Sequence, residues 1–212
     1  MKHWLCYVLT SLEEMRDPPV DPFHYYEIRL SHFSKFPDIE DIEKLPLPVI
    51  INLYGISLSP ERNHDLFLKF VQVKPAFLEV EYEPSLLMKK KSDIAEKSGA
   101  DIIISFYPEF VLDPVEAMRK IGDISRLSHH IKYSPKVRYS EDIGVLAYML
   151  KNKITEEYNI TVAPRGRLAR PFLVMAPLLG SFMSYYSSKP LEDTLPLHMV
   201  HDIYNLIIGP TS

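Results

Sequence analysis

Short apolar runs alternate with longer amphipathic stretches about eight times along these 212 residues, and no other feature constrains the fold as tightly. A parallel neighbour needs a crossover of a dozen or more residues, usually helical, so alternating strand and helix implies a parallel sheet. The predicted strands are His3–Leu9, His24–Leu30, Pro48–Leu53, Ala76–Tyr82, Asp101–Phe106, His130–Ser134, Ile160–Ala163 and Leu178–Met183. Predicted helices between them include Pro60–Phe70, Pro84–Lys97, Pro114–Ile121, Glu141–Lys151 and Pro196–Ile207. Four of the openings put Ser, Asp or Glu before Pro, or read Ser-Glu-Asp, which suits a first turn where a missing N–H leaves nothing unsatisfied.

Eight such units closing on themselves make a (β/α)8 barrel; five or six make an open, doubly wound sheet. The phosphate-binding devices of open nucleotide-binding sheets, GxGxxG after the first strand or GxxxxGK[ST], do not occur in this chain. The 18 prolines fall singly between patterned segments and no linker is visible. The expectation is an α/β protein, one (β/α)8 TIM-barrel domain over residues 1–212.

Composition excludes several classes of function. A net charge of −4 and a pI near 6.1 offer no footprint for nucleic acid. The basic run Lys89-Lys90-Lys91 reads as the solvated face of a helix. The lone Cys6 rules out an intramolecular disulfide and a Cys-rich metal site, and no HExxH or paired Cys/His cluster occurs, so no spacing suggests a metal site. No apolar stretch approaches the length of a membrane span, and the opening MKHWLCYVLT is too short and wrongly flanked for a signal peptide. A cytoplasmic protein without membrane or nucleic-acid partners follows as the expectation.

Three strands carry charges where a buried strand should carry none: EIRL around Arg29, EVEY around Glu81 and IKYS around Lys132. A buried ion costs several kcal/mol unless it is paired or kept for chemistry. Side chains alternate with period two, so Glu27 shares a face with Arg29, Glu79 with Glu81, and His130 with Lys132. Lys132 can be read as one half of an ion pair with Glu81 or Glu79, or as a nucleophile, and Glu27 with Arg29 as a salt bridge or as substrate contacts.

The order and spacing of YYEIRL, LPVIINL, FLEVEYE, ADIIISFYPEF, HIKYS and GRLARPFLVMAPLLGSFMSYY resemble the type I 3-dehydroquinate dehydratases over the length of the chain. The resemblance implies a (β/α)8 lyase that converts 3-dehydroquinate to 3-dehydroshikimate in the shikimate pathway, without a cofactor. It implies an imine between Lys132 and the substrate ketone, with Glu81 carrying protons. Glu27, Arg29 and Thr194 would line the pocket, and Arg170 would hold the substrate carboxylate. Desolvation and Arg29 are expected to lower the lysine's pKa, so that the amine is neutral when it attacks. It also implies a homodimer, for which the apolar final helix with Tyr204, Leu206, Ile207 and Ile208 offers a face.

The chain departs from the family at one decisive position: Pro108 occupies the place of the histidine that is the family's general acid and base. His198, His130, Tyr107 and Glu109 are the candidate replacements, with His198 first because it sits on a loop. The alternatives are a Schiff-base lyase or aldolase for another keto acid, and a barrel that binds a ligand without turning it over.

Overall fold

The computed structural model describes residues 3–56, 60–83, 86–152 and 158–208. The strands are β1 (Trp4–Leu9), β2 (Tyr25–Arg29), β3 (Val49–Asn52), β4 (Phe77–Glu81), β5 (Asp101–Phe106), β6 (His130–Tyr133), β7 (Asn159–Val162), β8 (Met183–Ser187) and the short β9 (Leu195–Pro196). The helices are α1 (Ile39–Glu43), α2 (Pro60–Val71), α3 (Leu86–Ser98), α4 (Pro114–Ser125), α5 (Glu141–Lys151), α6 (Arg170–Met175) and α7 (Val200–Ile208). Among the described residues no helix is long and apolar enough to cross a membrane.

All strand pairs are parallel, in the order β7-β6-β5-β4-β3-β2-β1-β8-β9. Parallel strands with helices on one side and a filled interior on the other are apolar on both faces, as in Val49, Ile50 and Ile51 of β3, all buried. The helices cover the outer face through residues at helical spacing, such as Ala117, Ile121 and Ile124 on α4. At the start of α4, Asp113 accepts a hydrogen bond from the Val115 N–H and Pro114 opens the first turn, as the sequence predicts.

The sheet curls until its ends meet: the Phe182 N–H, just before β8, donates to the Ile160 carbonyl of β7 at 2.8 Å. No ladder joins the two strands, so the expected closed (β/α)8 barrel is realised as a curled parallel sheet with one unlaced seam. At the upper edge of β8, Leu195 and Pro196 of β9 pair with Tyr186 and Ser187. The eighth strand also begins later than predicted, at Met183, because residues 176–180 form the turn that follows α6.

Inside the curl, side chains stack in layers. Trp4, Tyr25, Phe77, His130 and Phe182 form an aromatic floor at the N-terminal ends of the strands, with ring centroids 4.6–6.1 Å apart. His130 belongs to this floor, and burial holds its imidazole below the usual pKa. Above the floor the interior turns from aromatic to charged.

Candidate active site

The period-two alternation of β2, β4 and β6 brings Glu27, Glu79 and Lys132 to one level inside the sheet, each with no exposed surface. Lys132 Nζ lies 3.1 Å from Glu79 Oε1, 3.6 Å from Glu27 Oε1 and 3.9 Å from Asp193 Oδ2. Its ammonium also sits 4.2 Å from the centre of the Tyr185 ring. Two residues further along β2, Arg29 makes a two-pronged bridge to Glu27, 3.0 Å on each arm, and a 2.6 Å contact with Asp193 Oδ1. Asn52 on β3 donates to Glu27 Oε1 at 2.5 Å, and its own Oδ1 accepts from the Tyr54 N–H at 2.8 Å.

Burial penalises every charge in this cluster, and neighbouring charges decide the outcome. Burial pushes the Glu27 carboxyl up, but Arg29 and Lys132 together with their hydrogen bonds bring it down to about 2. For Lys132 burial acts downward and Arg29 acts with it, yet Glu27, Glu79 and Asp193 outweigh both, so the amine's pKa is raised. That corrects the sequence-based expectation of a lowered lysine: three carboxylates surround it, where the sequence suggested one acid against one guanidinium. Arg29 is likewise raised by Asp193 and Glu27 against the effect of burial.

Above the cluster, at the C-terminal ends of the strands where barrel enzymes build their sites, a cavity of about 320 Å³ is lined in part by Arg29, Asn52, Tyr54, Tyr107, Arg165 and Asp193. Tyr54 and Tyr107 stack face to face, with centroids 3.6 Å apart. The Tyr107 hydroxyl reaches down to donate to Glu79 Oε1 at 2.6 Å, and Ser105 donates to the same oxygen at 2.7 Å. Arg165 crosses the rim: Nε donates to the Ser134 carbonyl at 3.1 Å, and Nη2 to the Pro108 carbonyl at 3.2 Å. Its backbone is pinned too, because Gly166 takes φ +101 and a Cβ there would lie 3.1 Å from the Val137 carbonyl.

The sequence-predicted residues divide into two groups. Glu27, Arg29 and Lys132 converge in the cluster. Thr194 is buried just behind it, with its hydroxyl 2.7 Å from that of Ser187, outside the cavity wall. Glu81 lies at the exposed end of β4, where burial and Glu83 raise its carboxyl pKa; the acid beside Lys132 is Glu79, one pleat deeper. Arg170 is exposed at the start of α6, and the arginine on the cavity wall is Arg165. His198 is exposed in the 3-10 turn Leu197–Met199, away from the cavity. Glu109, also exposed, pairs with Arg165 at 3.5 Å. Asp193 was not foreseen: it meets Arg29 from 164 residues away, in a loop with no periodic signal.

No protein-family model matches the chain, and no curated protein matches it. Its fold does match solved structures. A type I 3-dehydroquinate dehydratase from Clostridium difficile, with covalent modified comenic acid, aligns with a TM-score of 0.84 at 13% identity, over 97% of this chain and 92% of that one. The 3-dehydroquinate dehydratase of Geobacillus kaustophilus HTA426 gives 0.85 at 12% identity, over 100% and 93%. That of Aquifex aeolicus VF5 gives 0.76 at 17% identity, over 98% and 100%. The chain therefore has the fold of the type I 3-dehydroquinate dehydratases, which it resembles at low sequence identity.

Proposed function

We propose that this protein is a hydro-lyase that removes water from 3-dehydroquinate, giving 3-dehydroshikimate, through an imine on Lys132. One observation carries the reading: in a sheet matching that of the dehydratases, a lysine on β6 stands among carboxylates directly below the cavity at the strand ends. Arg29 and Arg165 give the cavity wall two fixed cations for an anionic substrate.

The chemistry balances without an added acid or base. An ammonium and a ketone give a protonated imine and water, so no net proton is exchanged; a nearby acceptor need only hold the proton while the amine attacks. Glu79, 3.1 Å from Nζ, stands where that holding is needed. The protonated imine then acidifies the neighbouring C–H far more than a ketone does, which splits a difficult elimination into easier steps. Asp193 must first leave its place between the amine and the cavity, and an arriving carboxylate that takes over Arg29 supplies a reason for it to do so.

A second reading, a barrel that binds a keto acid without turning it over, is favoured by the complete burial of Lys132 beneath Asp193 and Tyr107 and by Pro108 in the place of the family's histidine. Borohydride trapping with dehydroquinate separates the two. Substrate mass fixed on Lys132, with turnover that vanishes in Lys132→Ala, supports the lyase; binding with neither adduct nor turnover supports the binding barrel. Adducts with other keto acids but not dehydroquinate would redirect the reading to a related lyase or aldolase. A cytoplasmic homodimer completes the proposal, supported by Leu206, 64% exposed on α7, and by Cys6 as the sole cysteine.

A further inference from the structure

Glu79 Oε1 accepts hydrogen bonds from Ser105 Oγ at 2.7 Å and Tyr107 Oη at 2.6 Å, and it lies 3.1 Å from Lys132 Nζ, whose own hydrogen bond goes to Glu79 Oε2 at 3.3 Å. Among the described residues, Tyr107 is the one side chain that both lines the cavity and hydrogen-bonds to Glu79. Of the other two buried carboxylates, Asp193 is itself on the cavity wall and is tied to Arg29 Nη1 at 2.6 Å, while Glu27 meets the wall through Arg29 and Asn52. A guanidinium stays protonated and an amide does not exchange protons usefully at neutral pH, so that route carries charge but no proton. A phenol does carry one.

We propose that Tyr107 and Glu79 form the proton relay of the elimination and thereby fill the role vacated at Pro108; this inference rests on the hydro-lyase reading above. With the imine formed, the C–H next to it breaks and its electrons move into the enamine. The proton goes to Tyr107 Oη while the phenolic proton passes to Glu79. In the second half the enamine electrons expel the β-hydroxyl. Tyr107 gives that oxygen its proton and is reprotonated by Glu79–H, so water leaves and both side chains return to their starting states. The phenol never has to stand alone as a phenolate, in keeping with burial and the Glu79 charge, which push its pKa well above the ordinary value.

The aromatic stack holds the relay in place. Tyr54 covers one side of the Tyr107 ring, and the Arg165 guanidinium lies 5.6 Å from the ring centroid while bonding the Pro108 carbonyl. The ring can therefore deliver its hydroxyl to one place, 2.6 Å from a carboxylate oxygen.

The test compares wild type, Tyr107→Phe, Glu79→Gln and Ser105→Ala in steady-state turnover of dehydroquinate, its pH profile, and borohydride trapping on Lys132. Tyr107→Phe removes one oxygen and keeps the stack, so folding persists. Its kcat is expected to fall about 10²–10⁴-fold, while KM changes by less than about threefold and the Lys132 adduct still forms. Ser105→Ala, which keeps both relay members, is expected to stay within about tenfold of wild type. Wild-type turnover with an unchanged kcat in Tyr107→Phe overturns the relay and leaves the lyase reading standing. Loss of the adduct along with turnover in Tyr107→Phe also overturns it, since Tyr107 would then serve imine formation. A wild type with neither turnover nor adduct overturns both the relay and the reading beneath it.

Discussion

Asp193 Oδ2 lies 3.9 Å from Lys132 Nζ, and Asp193 forms part of the cavity wall while Lys132 does not. This carboxylate is thus both a counter-ion for the amine and the barrier in front of it. Replacing Asp193 with Asn removes a negative charge that helps hold the lysine protonated. Borohydride trapping of a keto acid, followed by intact mass against pH, should reach half-maximum about one pH unit lower in Asp193→Asn than in wild type. An unchanged or higher midpoint would show that the amine does not feel this charge.

Lys132 and Arg29 are the cations that balance Glu27, Glu79 and Asp193. Lys132→Met leaves three buried carboxylates around one guanidinium, and removing one partner of a buried ion cluster costs about 3–5 kcal/mol. Urea denaturation should show that loss as a lowered midpoint. Adding Glu79→Gln to Lys132→Met should recover part of it, because the two residues are in contact and their effects do not add.

Acid should weaken the fold through Glu27. Its carboxyl pKa falls from the usual 4.5 to about 2 on folding, so the unfolded chain binds the proton more readily. The stabilisation is complete above about 4.5 and is lost as pH falls from there through about 2. Denaturation midpoints measured down this range should drop in wild type and drop less steeply in Glu27→Gln, which has no charge to lose.

Arg165 is predicted to act on binding more than on chemistry. Lysine cannot reproduce its planar fork, which spans the Ser134 and Pro108 carbonyls while facing the cavity. A hydrogen bond to a charged group is worth about 1.5–3 kcal/mol, so Arg165→Lys should raise KM for an anionic substrate about 10–100-fold. A fall in kcat at constant KM would instead place Arg165 in the reaction step.

Strand order and the inward-facing charges were legible because both follow from local periodicity. Glu27, Arg29 and Lys132 were found as soon as strands were assigned, since a charge inside an apolar run is conspicuous. Depth was not legible: Glu79 and Glu81 share a face, and only the relative stagger of neighbouring strands decides which one meets the lysine. Pairing of Glu79 with Ile103 and Glu81 with Ser105 sets Glu79 at the level of the cluster and leaves Glu81 at the rim. Loop residues were less legible still. Arg165, Arg167 and Arg170 are near one another in sequence, yet only Arg165 has its backbone fixed on both sides, to the Pro135 carbonyl at 2.8 Å and from the Val137 N–H at 2.9 Å. Asp193 and β9 depend on contacts between distant parts of the chain, which no local pattern encodes.

The aromatic floor of Trp4, Tyr25, Phe77, His130 and Phe182 closes the lower end of the sheet with tightly packed rings. Among the described residues, the cavity above the charged cluster therefore opens at the opposite end, where Arg165 stands. On the proposed hydro-lyase reading, substrate enters and product departs past Arg165, so a spent molecule lingering at the threshold keeps the next one outside, and rising product is expected to compete with substrate.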